Sequence, residues 1–200
     1  MKTALILVDI QNDYFPNGKM ELEGSMEAGL KAQKLLAYFR REHLGIVHMQ
    51  HISVRPGGTF FLPGTAGASI NALVSPLKGE TVFQKNYPNS FRNTPLLDFL
   101  KGDQVERLII GGMMTHMCID ATTRAAFDHG FECWVARDAC ATRALTFLDR
   151  TVPAEEVHLS FLAALQAVYA KVLTVDEIIE RLGPAWSDSV RPTAEIRGEN

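Results

Sequence analysis

The sequence predicts an α/β fold, a three-layer sandwich in which a six-stranded, mostly parallel sheet carries helices on both faces. Two observations predict it. Short apolar runs alternate with longer stretches of helical periodicity along most of the chain. Several of those runs are nearly continuous in apolar residues, as strands are when helices cover both faces of a parallel sheet. A length of 200 residues suits one domain with a full core, placed here at residues 1–183 and followed by a tail at 184–200.

The elements follow in order. "TALILVDI" (3–10) reads as a buried strand. Its apolar run stops at Asp9, too early for a membrane span, and no small-residue cleavage site follows. "SMEAGLKAQKLLAYFRREHLG" reads as a helix capped by Ser25, with a stripe of Leu30, Leu35, Leu36 and Phe39, and Gly45 as its stop. "GIVHMQHI" (45–52) and "TVFQK" (81–85) read as strands. Between them, segment 53–80 is rich in Gly and Pro and carries the pair Phe60 and Phe61; so long a loop in a compact domain is more often functional than incidental. "VERLIIGG" (105–112) is a fourth strand, and "THMCIDATTRAAFDHG" a helix with Thr115 as cap and Gly130 past its end. "FECWVARD" (131–138) is a strand, "PAEEVHLSFLAALQAVYA" a helix opened by Pro153 and acidic residues, and "KVLTV" (171–175) the last strand. The tail is poor in apolar residues and reads either as disordered or as docked through Trp186.

Composition narrows the function. Apolar residues make up 46% and charged ones 22%, ordinary for a soluble globular protein. Lys plus Arg is 20 and Asp plus Glu is 23, a net charge of −3 with no basic run, which argues against nucleic acid as a partner. The three cysteines, Cys118, Cys133 and Cys140, are odd in number and lack metal-ligand spacing, so neither a disulfide framework nor a zinc site is indicated. The cytoplasm is the default location, and no membrane partner is implied.

In an open parallel sheet, ligands bind outside the carboxyl ends of the strands. There the first run ends at Asp9, the third at Lys85, and the fourth leads through Gly111 and Gly112 to Cys118. An acid, an ammonium and a thiol can converge on one edge. With Thr115 as cap, Cys118 falls in the first helical turn, where free N–H groups and the helix dipole favour thiolate and stabilise an oxyanion. Each residue alone has a plainer reading: an inert core thiol, a loop-capping carboxylate, a solvated lysine. Asp13 reads as a turn or structural residue. His116, two residues from Cys118, faces elsewhere on a helix. His48 and His51, at odd spacing on a strand, point to opposite faces and do not share a metal. "GGMMTHMC" lacks the third glycine of a dinucleotide fingerprint.

The segments "ALILVDIQNDYF", "LPGTAGASI", "TVFQKNYPNSF", "LIIGGMMTHMCIDATTRAAFDHGFECWVARDACAT" and "KVLTVDEII" occur here in that order. Together they resemble the isochorismatase-like cysteine hydrolases, which include nicotinamidases, N-carbamoylsarcosine amidohydrolases and isochorismatases, over almost all of residues 3–180. The resemblance implies a Rossmann-like sandwich and an Asp-Lys-Cys triad on Asp9, Lys85 and Cys118. It implies a non-proline cis peptide between Met113 and Met114, an oxyanion hole from the backbone N–H groups of Met114 and Cys118, and a homo-oligomer, dimer or tetramer. Nicotinamidases carry an Asp-x-His metal pair after the second strand; here His51 and Ser53 stand in that stretch, so no metal and no cofactor are expected.

The reading is a cysteine-dependent amidohydrolase that cleaves a C–N bond of a small amide, carbamoyl compound or lactam through a thioester. Phe15, Phe60, Phe61, Leu62 and Phe91 are the candidate substrate-binding residues. The alternatives are vinyl-ether hydrolysis of the isochorismatase type, with Asp9 as acid, and a catalytically idle subunit that keeps the fold.

Overall fold

The computed structural model describes residues 1–183, so the tail at 184–200 and the expected docking of Trp186 lie outside the described residues. Six strands form one sheet: β1 (Thr3–Val8), β2 (Gly45–His51), β3 (Thr81–Lys85), β4 (Arg107–Met113), β5 (Glu132–Ala141) and, after a small hairpin, β8 (Lys171–Leu173). Their order is β3-β2-β1-β4-β5-β8, and every neighbouring pair is parallel. The connections reverse direction between β1 and β4, which opens a crevice at their carboxyl ends.

Period-two alternation builds the two cores. Leu5 and Leu7 of β1 face a cluster with Leu35, Leu36 and Phe39 of α1 (Ser25–Arg41) and Ile178 of α5 (Val175–Leu182). Ala4, Ile6 and Val8 face the opposite cluster. There they meet Leu96 and Leu100 of α2 (Leu96–Gly102), Ala126 of α3 (Asp120–Asp128), and Leu162 and Leu165 of α4 (Ala154–Val168). Helices therefore cover both faces, and none of the described helices is long and apolar enough to cross a membrane.

Several local expectations change. Ser25 is the first residue of α1 rather than its cap; Gly24 takes the cap position in a left-handed conformation. Leu30 is 51% exposed, because the buried stripe runs through Ala28, Ala32, Leu35, Leu36 and Phe39 instead. Gly45 opens β2, and the chain leaves α1 at His43, whose φ is 52°. Pro153 caps α4 from outside. α2, α5 and the exposed hairpin of β6 (Leu145–Phe147) and β7 (Arg150–Val152) went unread: α2 and α5 are short, and the hairpin's residues lack a buried face.

Gly112 explains one of the two glycines of β4. Its φ is +133°, and a Cβ there would lie 1.9 Å from the Val8 carbonyl oxygen, so only glycine lets β4 lie against β1 at this point. The register against β5 also shifts between Ile110 and Gly112, so the end of β4 is re-aimed before the next turn.

Segment 53–80 is tied down at its far end by Glu80. Its carboxylate accepts from Arg40 Nε (2.7 Å) and Nη2 (2.9 Å), from the Leu77 N–H (2.9 Å) and from His48 Nε2 (3.0 Å). Burial alone would raise its pKa, but these donors outweigh burial and hold it at about 2. Because that value lies below the ordinary 4.5, the stabilisation is complete above about pH 4.5 and fades as pH falls toward 2. Glu80→Gln is therefore expected to cost about 1–3 kcal/mol at pH 7, with the gap to wild type shrinking in urea titrations at pH 3. A gap unchanged between the two pH values would show that charge is not what holds the loop.

Candidate active site

Four strand ends meet at the crevice. Asp9 follows β1 directly, with φ of 53° in the left-handed region that Asp tolerates better than most residues, and its N–H donates to the Met49 carbonyl (3.0 Å). Lys85 ends β3 and His51 ends β2, the two being register partners. The Lys85 ammonium donates to Asp9 Oδ2 (2.7 Å), the Tyr87 carbonyl (3.0 Å) and His51 Nδ1 (3.3 Å). Lys85 is 1% exposed and Asp9 0%, so the solvated-lysine reading fails. Burial alone would lower the Lys85 pKa, but the charge of Asp9 and the hydrogen-bonding neighbours Asp9 and Cys118 outweigh it and raise the value, so the amine stays protonated. Asp9 Oδ1 is buried and has no hydrogen-bond partner among the described residues.

Cys118 comes to this pair through an irregular turn. The Met113–Met114 peptide bond is cis. Thr115–Ile119 then form a π-helical turn that runs into α3. The N–H groups of Met117 (3.0 Å) and Ile119 (3.2 Å) both donate to the Met114 carbonyl, a bond the Cys118 N–H between them does not join. Thr115 is not the cap; Met114 holds that position, and the Thr115 hydroxyl donates to the Ala141 carbonyl (3.3 Å) and pairs with His158 Nδ1 (2.9 Å). His116 pairs with the Thr142 hydroxyl, away from the thiol.

The expected thiolate is not the resting state. Cys118 is 3% exposed, and burial together with the neighbouring Asp9 charge pushes its thiol well above the usual range; Lys85 opposes this without overcoming it. The helix start favours thiolate, but burial and the Asp9 carboxylate that converges on the same edge outweigh it. At rest the site holds a neutral thiol beside an ion pair whose second carboxylate oxygen is free.

A cavity of about 730 Å³ opens over Cys118. Tyr14, Phe60 and Phe61 form an aromatic wall, with Tyr14 and Phe61 rings edge-to-face at 4.6 Å. Phe61 has a φ of 54°, which a bulky residue rarely adopts. Asp13 holds it there: its buried carboxylate accepts the Phe61 N–H (2.6 Å) and the Lys19 N–H (3.2 Å).

The structure does not bring Phe15, Leu62 or Phe91 to this cavity. The 3-10 turn Asn12–Tyr14 aims Tyr14 at the site, while Phe15 packs against Gly29 in the core under α1. Phe91 stacks on Phe131 (6.2 Å) in the opposite core, and Leu62 lies outside the lining. Sequence reasoning passed over Tyr14, Arg55 and Tyr87 and weighed His51 only as a metal ligand; all four line the cavity. For His51 a signal existed, since it stands at a strand's carboxyl end as Asp9 and Lys85 do.

Ligand atoms of Asp9, His51 and Cys118 all lie within 4.8 Å of one another and could in principle ring a cation. The Lys85 ammonium already sits against two of them, at 2.7 Å from Asp9 and 3.3 Å from His51. A metal ion placed there would face a protonated amine in direct contact with its ligands, so this donor set does not fit one.

Known proteins share this arrangement of chain. The sequence is 49% identical over 180 residues to the uncharacterized isochorismatase family protein YddQ of Bacillus subtilis, covering 90% of this chain and 100% of that one. It is 26% identical to the maleamate amidohydrolase of Pseudomonas putida, covering 90% of this chain and 87% of that one. A crystal structure from Oleispira antarctica, described as an isochorismatase hydrolase, superposes with a TM-score of 0.86 at 48% identity, covering 90% of this chain and 96% of that one. The Isochorismatase domain model matches residues 3–177. With its parallel sheet, its strand-end crevice and that match, the chain belongs to the isochorismatase family of hydrolases.

Proposed function

We propose that this hydrolase cleaves the C–N bond of a small amide, carbamoyl compound or lactam through a thioester on Cys118. The observation that carries the reading is the division of labour on one buried carboxylate: Asp9 Oδ2 is engaged by Lys85, while Oδ1 is unpartnered in a site shared with the Cys118 thiol. A buried acceptor without a donor is costly to keep, and a proton in transit is what would satisfy it. The similarity to a maleamate amidohydrolase supports the same bond type.

The steps follow from those groups. Asp9 Oδ1 accepts the Sγ–H proton as sulfur attacks the carbonyl carbon, so the thiolate exists only as it reacts. The N–H groups of Met114 and Cys118 receive the oxyanion. When the C–N bond breaks, Asp9 returns the proton to the leaving nitrogen and an acyl thioester remains. Asp9 then accepts a proton from water as its oxygen attacks the thioester; the C–S bond breaks and the proton returns to sulfur. Lys85 stays protonated throughout and offsets the negative charge that moves between Asp9 and sulfur. Its ammonium supplies the fixed positive charge, so the cycle runs without a metal.

Two measurements test this. On an amide that the protein turns over, Cys118→Ala and Cys118→Ser should each lower kcat by about 10³-fold or more, while intact-mass analysis of wild type traps an acyl adduct on Cys118. Cys118→Ala fully active on isochorismate, with no amide turned over by wild type, would transfer the site to vinyl-ether hydrolysis. The second measurement separates charge from chemistry. Asp9→Asn removes the base but also the charge that holds the thiol protonated, leaving Lys85 opposite sulfur. Turnover should vanish while iodoacetamide labelling of Cys118 at pH 7 quickens several-fold, read by peptide mapping. Labelling slowed along with turnover would mean that Asp9 does not set the thiol's protonation. Wild-type turnover of the amide should also survive exhaustive chelation.

A further inference from the structure

The turn that carries Cys118 is fastened from the side away from the substrate cavity. Thr115, its first residue, is fully buried, and its hydroxyl reaches out of the turn to two other elements. It meets the Ala141 carbonyl at the end of β5 (3.3 Å) and His158 Nδ1 on α4 (2.9 Å). Ala141 is the register partner of Met113, so the link ties the turn back to the strand beside β4. The next residue is held from the same side. His116 Nδ1 pairs with the Thr142 hydroxyl, and its ring meets Phe161 of α4 edge-on with centroids 5.9 Å apart.

His158 reaches the turn from a hollow of its own. With Cys140, Ala141, Thr142 and Ala154 it lines a cavity of about 220 Å³, separate from the one over Cys118. Neither His158 nor Thr115 belongs to the lining over Cys118, so neither touches a molecule bound there. Burial lowers the His158 pKa, although a hydrogen bond with the Arg137 backbone opposes it, so the ring is neutral at pH 7. A neutral ring brings no charge to the thiol. Any effect of His158 on the reaction must therefore pass through the backbone of the turn.

That backbone carries the two N–H groups that receive the oxyanion. Met114 directly precedes Thr115, and Cys118 follows three residues later. The Met114 carbonyl accepts from the N–H groups of Met117 and Ile119, so a rotation at Thr115 is carried to both ends of the turn. The sulfur has a different anchor, because it sits against Asp9 and Lys85. Donor direction and thiol placement thus rest on separate supports.

Resting on the amidase reading above, we propose that His158 is a positioning residue: through the Thr115 hydroxyl it sets the direction of the Met114 and Cys118 N–H groups, and so the stabilisation of the oxyanion, without setting the reactivity of the thiol.

Two electrophiles separate these effects on the intact protein. p-Nitrophenyl acetate acetylates sulfur: the S–C bond forms through an oxyanion, p-nitrophenolate leaves with the C–O electron pair, and the thiol proton passes to Asp9. Iodoacetamide forms its S–C bond by displacing iodide and develops no oxyanion. Wild type should carry an acetyl group on Cys118, located by peptide mapping. Thr115→Val, which keeps the shape and loses the hydroxyl, and His158→Leu should each slow acetylation by about 10- to 100-fold. Both should change the iodoacetamide rate less than about threefold. Thr115→Ser restores the hydroxyl, and His158→Asn can offer an amide group near the position of Nδ1; each should recover most of the loss. Because one link joins the two residues, the double variant should be no slower than the slower single one. Thermal unfolding checks that each variant folds. Should Thr115→Val not fold, His158→Leu, which leaves the Thr115 hydroxyl its Ala141 partner, carries the comparison. Equal slowing of both electrophiles would mean that the link merely holds the turn together, and additive losses would mean two independent effects; either overturns the proposal. An acetyl group on Cys118 at the same rate in every variant overturns the positioning role alone. Its absence from wild-type Cys118 would overturn the nucleophile reading and the proposal with it.

Discussion

The buried ion pair of Asp9 and Lys85 is the constraint on which the rest of the site depends. Two charges at 2.7 Å, both removed from water, are costly to desolvate, and their attraction compensates only when the remaining donors and acceptors are placed well. The fold places most of them. β1 and β3 flank β2, so the carboxylate after one and the ammonium ending the other meet across the end of the strand between them. The Tyr87 carbonyl and His51 Nδ1 take up further protons of the ammonium. What the fold leaves open is a single carboxylate oxygen, and that opening is where the thiol comes in.

From this pair the other properties of the site follow electrostatically. The negative partner keeps the thiol protonated until a substrate arrives, while the positive partner limits how far that effect can go. The same ammonium meets the His51 ring at Nδ1. The aromatic wall stands on a separate support: Asp13, a few residues beyond Asp9, fixes Phe61 in an unfavourable backbone conformation so that its ring closes the cavity against Tyr14 and His51. One stretch, Asp9 to Tyr14, therefore supplies a charge, the Asp13 loop anchor and a wall residue.

The nucleophile turn shows where local reasoning is sufficient and where it is not. Gly112 was legible only as one of two glycines on the way to Cys118; the close approach it permits, to the Val8 carbonyl across the sheet, belongs to the pairing of β1 with β4. The cap was not legible. A threonine before a helix ordinarily caps it, yet Thr115 spends its hydroxyl on Ala141 and His158, residues far along the chain. The thiol of Cys118 stays protonated for a related reason. A dipole is a property of one helix and is visible in sequence, whereas the charge of Asp9 reaches Cys118 only through the pairing of β1 with β4.

The layers, the sheet and the three chemical groups at the strand ends were legible in the order of amino acids. Each of these is written in periodicity, in run length, or in the polar residue that ends an apolar run, and such signals are local. Which neighbours turn inward depends on how the elements pack. Tyr14 faces the cavity and Phe15 the core because of one 3-10 turn, and two aromatic residues in succession carry no mark of which will do so. His51 enters the site because β2 lies between β1 and β3, and its ring meets the ammonium of a lysine 34 residues away in sequence. The protonation states of the site depend on distances between charges in a dry interior, and those distances exist only once the sheet has formed.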